Sequence, residues 1–169
     1  GEKILDACAA PGSKSTHLAE LSKDRAEILA IDRSEKRLKI LQSNLDRLHL
    51  KSVNTLRADA TNLIELNPKF KSYFDKILLD APCSGIGTLS RNPDSRWSLS
   101  KEKIKCLTLL QEKLLERIFP LLKKDGTLVY STCTICPYEN NLLIERFIEK
   151  NKGLKLVSQK QILPSLDHP

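Results

Sequence analysis

Two cysteines carry the most chemistry in this sequence. One lies in Leu78-Leu79-Asp80-Ala81-Pro82-Cys83, the other in Leu128-Val129-Tyr130-Ser131-Thr132-Cys133-Thr134. Each follows a short apolar run of the kind that forms a buried strand. In open α/β sheets, ligands and reacting groups collect just beyond the carboxyl ends of strands. A thiolate there is a nucleophile suited to covalent catalysis. Most free cysteines are small buried hydrophobes. Two at strand ends, one of them three residues after Asp80, favour the reactive reading.

A second constellation opens the chain. In Asp6-Ala7-Cys8-Ala9-Ala10-Pro11-Gly12-Ser13-Lys14, small residues let a ligand approach the backbone, and the helix that follows offers free N–H groups. The dinucleotide fingerprint G-x-G-x-x-G is absent, as is the phosphate loop with its first glycine, which argues against a pyrophosphate. Asp32 ends the next strand, where a carboxylate can accept from both hydroxyls of a ribose. Asp59, in Arg57-Ala58-Asp59-Ala60, is placed to accept from an adenine amino group. Singly, either reads as a cap or turn residue. Together, after successive strands and beside the small-residue loop, they point to an adenosine-bearing ligand.

The elements that position these residues are legible from apolar periodicity. Strands are expected at 3–7, 27–31, 53–56, 74–79, 127–131 and 154–157. Helices are expected at 13–21 with Leu18 and Leu21 on one face, after a Ser34 cap with Leu38, Leu41, Leu45 and Leu48 at helical spacing, from Ser100 to about Leu122, and from Pro137 to about Lys150. Lys123-Lys124-Asp125-Gly126 reads as a turn, residues 84–100 as a long loop, and residues 163–169 as an irregular tail. Strands alternating with helices predict a mainly parallel α/β sheet with all the loops named above on one edge.

The 169 residues suffice for one domain with a real core. The net charge of +7 favours an anionic partner without proving one. No apolar run reaches the roughly 18 residues of a membrane helix. Five cysteines without a secreted framework favour a reducing cytoplasm. Cys133 and Cys136 form a C-x-x-C, but zinc would need two further ligands. None of His17, His49 and His168 is arranged like a ligand, so no metal is expected. Cys106 reads as filler within a helix.

At this point the sequence resembles the Nol1/Nop2/Sun family of S-adenosylmethionine-dependent RNA cytosine-5 methyltransferases, and most of all the bacterial Sun subgroup that modifies small-subunit ribosomal RNA. The matching residues are Asp6 through Lys14, Asp32, Asp59, Asp80-Ala81-Pro82-Cys83-Ser84-Gly85 and Ser131-Thr132-Cys133-Thr134, in order across nearly the whole chain. The resemblance implies a Rossmann-like methyltransferase sheet with helices on both faces, lacking the final antiparallel strand. It implies one catalytic domain, truncated at both ends, acting in the cytoplasm as a monomer on RNA. Cys8, Ala9, Ala10, Pro11, Gly12, Ser13, Lys14, Asp32, Asp59 and Asp80 would line the S-adenosylmethionine site. Cys133 would be the nucleophile, Cys83 would assist product release, and Asp80 would serve both sites. Ser13 and Thr134 depart from the family's usual glycine and serine.

The residues alone leave open which thiol attacks, since a Pro-Cys cysteine is the nucleophile of DNA cytosine-5 methyltransferases; the resemblance of the Ser131-Thr132-Cys133 element to the RNA family implies Cys133. A silent RNA-binding module would not need both cysteines with Asp80. A small-molecule methyltransferase would not need the thiol pair. Adenine amino methyltransferases typically carry Asn/Asp-Pro-Pro-Tyr where this chain has Asp80-Ala81-Pro82-Cys83. Arg91, Arg96, Lys101, Lys103 and Lys105 with Trp97 form a basic stretch that could contact phosphates or stack an extruded base. Its alternative is a solvated loop anchored by a buried Trp97.

Overall fold

A computed structural model describes residues 1–162. Five strands, β1 (Lys3–Asp6), β2 (Glu27–Asp32), β3 (Val53–Arg57), β4 (Phe74–Asp80) and β5 (Leu122–Ser131), form one sheet in the order β3-β2-β1-β4-β5. Every pairing is parallel. All carboxyl ends therefore share one edge, and the order reverses beside β1, between β1 and β4. That is the switch point where open α/β sheets bind ligands.

The helices are α1 (Ser13–Leu21), α2 (Glu35–Arg47), α3 (Leu63–Leu66), α4 (Lys101–Ile118) and α5 (Asn141–Lys150). Ser34 caps α2, its hydroxyl accepting from the Arg37 N–H. Leu38, Leu41 and Leu45 of α2 and Ala19 of α1 form a buried cluster with Ile4, Ile28, Ala30 and Val53 of the strands. Side chains alternate along a strand. Leu5 and Ile31, which alternate with Ile4 and Ala30, are fully buried too, so the sheet is covered on both faces at β1 and β2. No helix of the described residues is long and apolar enough to cross a membrane.

The described chain forms two compact units. One comprises Gly1–Pro82 and Leu110–Ser131, the other Cys83–Leu109 and the segment from Thr132 on. The sheet and the opening loop belong to the first, and both candidate catalytic cysteines to the second. The sequence crosses between them after Pro82, after Leu109 and after Ser131.

Several expectations need correction. The buried face of α1 is Ser15, Thr16 and Ala19, while Leu21 is 70% exposed. α4 stops at Ile118, followed by a short 3-10 turn, because Pro120 lacks the N–H a helix needs. Residues 123–126 do not separate α4 from β5. They bulge within β5, where the five steps from Leu122 to Thr127 match the two from Phe74 to Lys76, and Asp125 takes a φ of 63°. Residues 84–100 contain two 3-10 turns, Ile86–Thr88 and Pro93–Ser98. Residues 154–157 form no strand. They join no ladder, and Leu156 and Val157 are exposed. Leu154 N–H bonds Asn151 O instead of a strand, and with no neighbouring strand the exposed segment stays outside the sheet. The expected tail and His168 lie outside the described residues.

Candidate functional site

The loop from Ala7 to Gly12 leaves β1 and is tied to the sheet edge. Ala7 N–H donates to Leu78 O, and Ala9 N–H to Ile31 O. α1 then begins at Gly12 without a side-chain cap, so the N–H groups of its first turn have no capping acceptor. Gly12 has φ +111°, and a Cβ there would lie 2.7 Å from Leu41 Cγ. Small residues are thus required where backbone, α2 and a ligand would converge. Cys8 is half-buried, and burial first, then the Asp6, Asp32 and Asp80 carboxylates, push its thiol up to about 12. A thiol raised this far stays protonated near neutrality, unlike a reactive cysteine.

Asp32 is nearly buried at the end of β2. One carboxylate oxygen accepts from Ser34 N–H at 2.9 Å. The other accepts from Ala10 N–H at 3.3 Å and pairs with Arg37 at 3.4 Å. A carboxylate has about four acceptor positions, so one remains for a ligand hydroxyl. Arg37 also donates to Ala10 O, which ties the loop to α2. Sequence reasoning passed over Arg37. The available signal was a cation in the first turn of a helix, where the dipole disfavours it unless it has a partner. Asp59 caps a 3-10 turn, accepting from the N–H and hydroxyl of Thr61. Burial pushes its carboxyl up, but the two Thr61 bonds and Arg33 outweigh burial and hold it below the usual range. With Arg33, Arg57 and Ala58, Asp59 lines an open depression of about 520 Å³.

At the end of β4, Asp80 is held from two sides. Lys14 Nζ lies 2.6 Å from one oxygen, and Ser131 Oγ donates to the other at 2.8 Å. This joins the opening loop to the ends of β4 and β5. Asp6, in the last position of β1, is fully buried. One of its oxygens accepts from Ser15 Oγ at 2.6 Å, and the other has no hydrogen-bond partner. Burial pushes its carboxyl up to about 6, the Asp80 charge adding and Ser15 opposing.

A carboxyl raised on folding stabilises the fold while protonated. That contribution is complete below about pH 4 and is lost as the pH rises through about 6. Asp6→Asn should therefore gain stability on wild type by on the order of 2–3 kcal/mol between about pH 4 and pH 7. Urea unfolding across that range measures the difference, and a difference that stays flat with pH would contradict it.

In the second unit, Cys83 and Cys133 bring their sulfurs to 3.3 Å. Cys133 N–H also donates to Cys83 Sγ at 3.3 Å. Cys133 is exposed, whereas Cys83 is half-buried. Burial first, and the Cys133 contact second, push the Cys83 thiol well up, so it stays protonated near neutrality. The loops are short-tethered: Gly87 N–H donates to Cys133 O, and a Cβ on Gly87 would lie 2.9 Å from that oxygen. The residues after the cysteines, Ser84 and Thr134, are buried and bonded to each other at 2.8 Å. Ser84 also bonds buried Glu139, which sequence reasoning missed because it reads as a solvated acid beside Pro137. Cys136 takes part through its backbone: its N–H donates to Thr134 Oγ1, and its carbonyl accepts from Glu139 N–H.

Trp97 is 80% exposed in the 3-10 turn Pro93–Ser98, with the Arg96 guanidinium 5.1 Å from its ring. The buried-anchor reading of that residue is excluded. Cys106 is exposed on α4. Among the described residues no group of three or more His, Cys, Asp or Glu could hold a metal ion.

This arrangement has close relatives. A probable ribosomal RNA small subunit methyltransferase B of Synechocystis is 48% identical over 89% of the chain and 33% of the relative. A ribosomal RNA small subunit methyltransferase B of Photorhabdus laumondii is 41% identical over 99% of the chain and 40% of the relative. The chain thus spans between a third and two-fifths of these relatives. Among solved structures, NSun6 from Pyrococcus horikoshii, determined with SFG, superposes with a TM-score of 0.83 at 36% identity, over 97% of this chain and 40% of that one. The fold is accordingly the Rossmann-like sheet of the S-adenosylmethionine-dependent methyltransferases. The family model for the 16S rRNA methyltransferase RsmB/F matches residues 1–165, and with the opening loop, the strand-end carboxylates and the thiol pair all in place, the chain belongs to that family.

Proposed function

We propose that this chain is the catalytic part of a cytoplasmic enzyme that methylates C5 of a cytosine in small-subunit ribosomal RNA. The observation that carries this reading is the thiol pair at 3.3 Å, one member exposed and the other held as a neutral thiol.

The residues of the first unit fit S-adenosylmethionine, of which SFG is an analogue. The N–H groups at the start of α1 and the loop from Cys8 to Lys14 would hold its amino-acid part, Asp32 its ribose and Asp59 its adenine amino group. Each carboxylate keeps acceptor capacity for that purpose. When bound, this cofactor supplies an electrophilic methyl group on a sulfonium sulfur.

Carbon 5 of cytosine is a poor nucleophile until C6 carries a substituent. Cys133, as thiolate, adds to C6, and the displaced π electrons make C5 enamine-like. Asp80, as a carboxylate, can accept from the cytosine amino group or from a protonated N3 and so stabilise the adduct. Lys14 and Ser131 hold Asp80 in place for that contact. After C5 has gained its methyl group, its hydrogen leaves as a proton to water. The C5–H electron pair restores the C5–C6 double bond, and the Cys133 S–C6 bond breaks. Cys83, still protonated, donates its S–H to the departing thiolate. The raised Cys83 thiol favours this donor role over that of a second thiolate. Exposed Trp97 and Arg96 add a stacking face and a cation for single-stranded RNA.

Full-length protein, S-adenosylmethionine and unmodified small-subunit RNA carrying 5-tritiated cytidine test this directly. Each methyl group transferred should release one tritium into water, and bisulfite mapping should place it at a defined cytosine. Methyl incorporation without tritium release would overturn C5 as the target.

A further inference from the structure

The hydroxyls next to the two thiols form part of a one-way hydrogen-bond chain. Glu139 is fully buried, and one oxygen accepts from Ser84 N–H at 2.9 Å while the other accepts from Ser84 Oγ at 2.5 Å. A carboxylate only accepts, so the single hydroxyl hydrogen of Ser84 goes to Glu139. The 2.8 Å bond between Ser84 Oγ and Thr134 Oγ1 must then be donated by Thr134. Thr134 Oγ1 in turn accepts from Cys136 N–H at 3.1 Å. The chain runs from Cys136 through Thr134 and Ser84 to Glu139 and uses each of these donors once. Burying a carboxylate is expensive unless every bond is made. Here those bonds pin the residue after Cys83 to the residue after Cys133.

We propose that Glu139 is the positioning residue of the thiol pair. Through Ser84 and Thr134 it locks the two cysteine loops in register, so that the sulfurs keep the separation at which Cys83 can serve Cys133. The proposal rests on the roles assigned above to those two cysteines. Glu139 touches neither thiol, and its effect passes through the hydroxyl pair. Thr134 in place of serine keeps the hydroxyl that this chain requires.

Two readouts test it in the full-length protein. The first is kinetic. Misplacing a reacting group by about 1 Å can cost on the order of 10²-fold in rate. Glu139→Ala should lower kcat by roughly that factor, with KM for S-adenosylmethionine unchanged within about twofold. Glu139→Gln keeps the acceptor for Ser84 N–H but reverses the Ser84 hydroxyl, and should fall between wild type and Glu139→Ala. Thr134→Ser should restore what Thr134→Val loses.

The second readout needs no RNA. An aromatic disulfide, 5,5′-dithiobis(2-nitrobenzoate), is attacked by the Cys133 thiolate and releases one nitrothiobenzoate. Cys83 then displaces the second, leaving a Cys83–Cys133 disulfide, with the two thiol protons passing to buffer. Mass spectrometry of the linked peptide gives the closure rate, which should fall at least about tenfold in Glu139→Ala and Ser84→Ala. Closure and kcat both within twofold of wild type would overturn the proposal. If Glu139→Ala does not fold, Glu139→Gln and Ser84→Ala carry the same test. A wild-type enzyme that releases no tritium would remove the reading of function, while the closure rates would still decide the role of Glu139.

Discussion

Cys133→Ala should abolish methyl transfer, and Cys83→Ala should leave the protein covalently attached to its RNA. The two outcomes differ because the thiols differ. Cys133 is exposed and has the cytosine ring to attack; without it C5 never becomes nucleophilic, and the loss should be at least about 10³-fold, the scale seen when a covalent nucleophile is removed. Cys83 is half-buried, its thiol pushed up by burial, and its sulfur is 3.3 Å from that of Cys133. It enters after the methyl group has moved, when the S–C6 bond must break and the departing thiolate needs a proton donor. Without it the adduct should persist and run as a protein–RNA species on a denaturing gel. Cys83→Ala/Cys133→Ala should show neither adduct nor activity. An adduct from Cys133→Ala, with none from Cys83→Ala, would reverse the assignment.

The thiol pair was legible in the sequence because the apolar runs Ile77-Leu78-Leu79 and Leu128-Val129-Tyr130 end visibly at Asp80 and Ser131, even though β5 is an edge strand that leaves Val129 exposed. The same property exposed the strand ends at Asp6, Asp32 and Arg57, and with them the side of the sheet on which chemistry gathers. Polar residues buried for the sake of other polar residues carry no such mark. Ser15 faces inward on α1 because buried Asp6 needs a donor, so Leu21 misled about that helix face, whereas Leu18 does pack against the core. Glu139 follows Pro137 in a turn where an acid is ordinarily solvated. Its burial depends on Ser84, 55 positions away, and pairing at that distance leaves no local pattern. The segment 154–157 shows the opposite failure. Its apolar alternation is strand-like, but strand identity is settled by a hydrogen-bonding neighbour, and periodicity does not supply one.

Gly12→Ala should damage both the fold and the cofactor site, more than any other single-methyl change in the opening loop. The φ of +111° lies beyond the left-handed region that L-residues visit, and forcing a side chain there costs about 1–3 kcal/mol. The added Cβ would lie 2.7 Å from Leu41 Cγ, 3.2 Å from Leu41 Cβ and 3.3 Å from Leu41 Cα. Leu41 is fully buried among Ala19, Leu38 and Leu45, so it has no free volume to retreat into, and overpacking of this kind costs about another 1–3 kcal/mol. For a chain of this size each kcal/mol shifts the thermal midpoint by about 2–4 °C, so a fall on the order of 10 °C is expected. Relief of the clash must come from the loop, which moves Ala10 away from Asp32 and Arg37 and disturbs the carboxylate proposed to hold the ribose. Affinity for S-adenosylmethionine should therefore fall together with the midpoint. Ser13→Gly is the control. Ser13 is exposed at the first position of α1, and the change should cost less than about 1 kcal/mol and leave affinity nearly intact. Equal losses in both variants would mean that loop flexibility, and not the contact between Gly12 and Leu41, sets the geometry of this site.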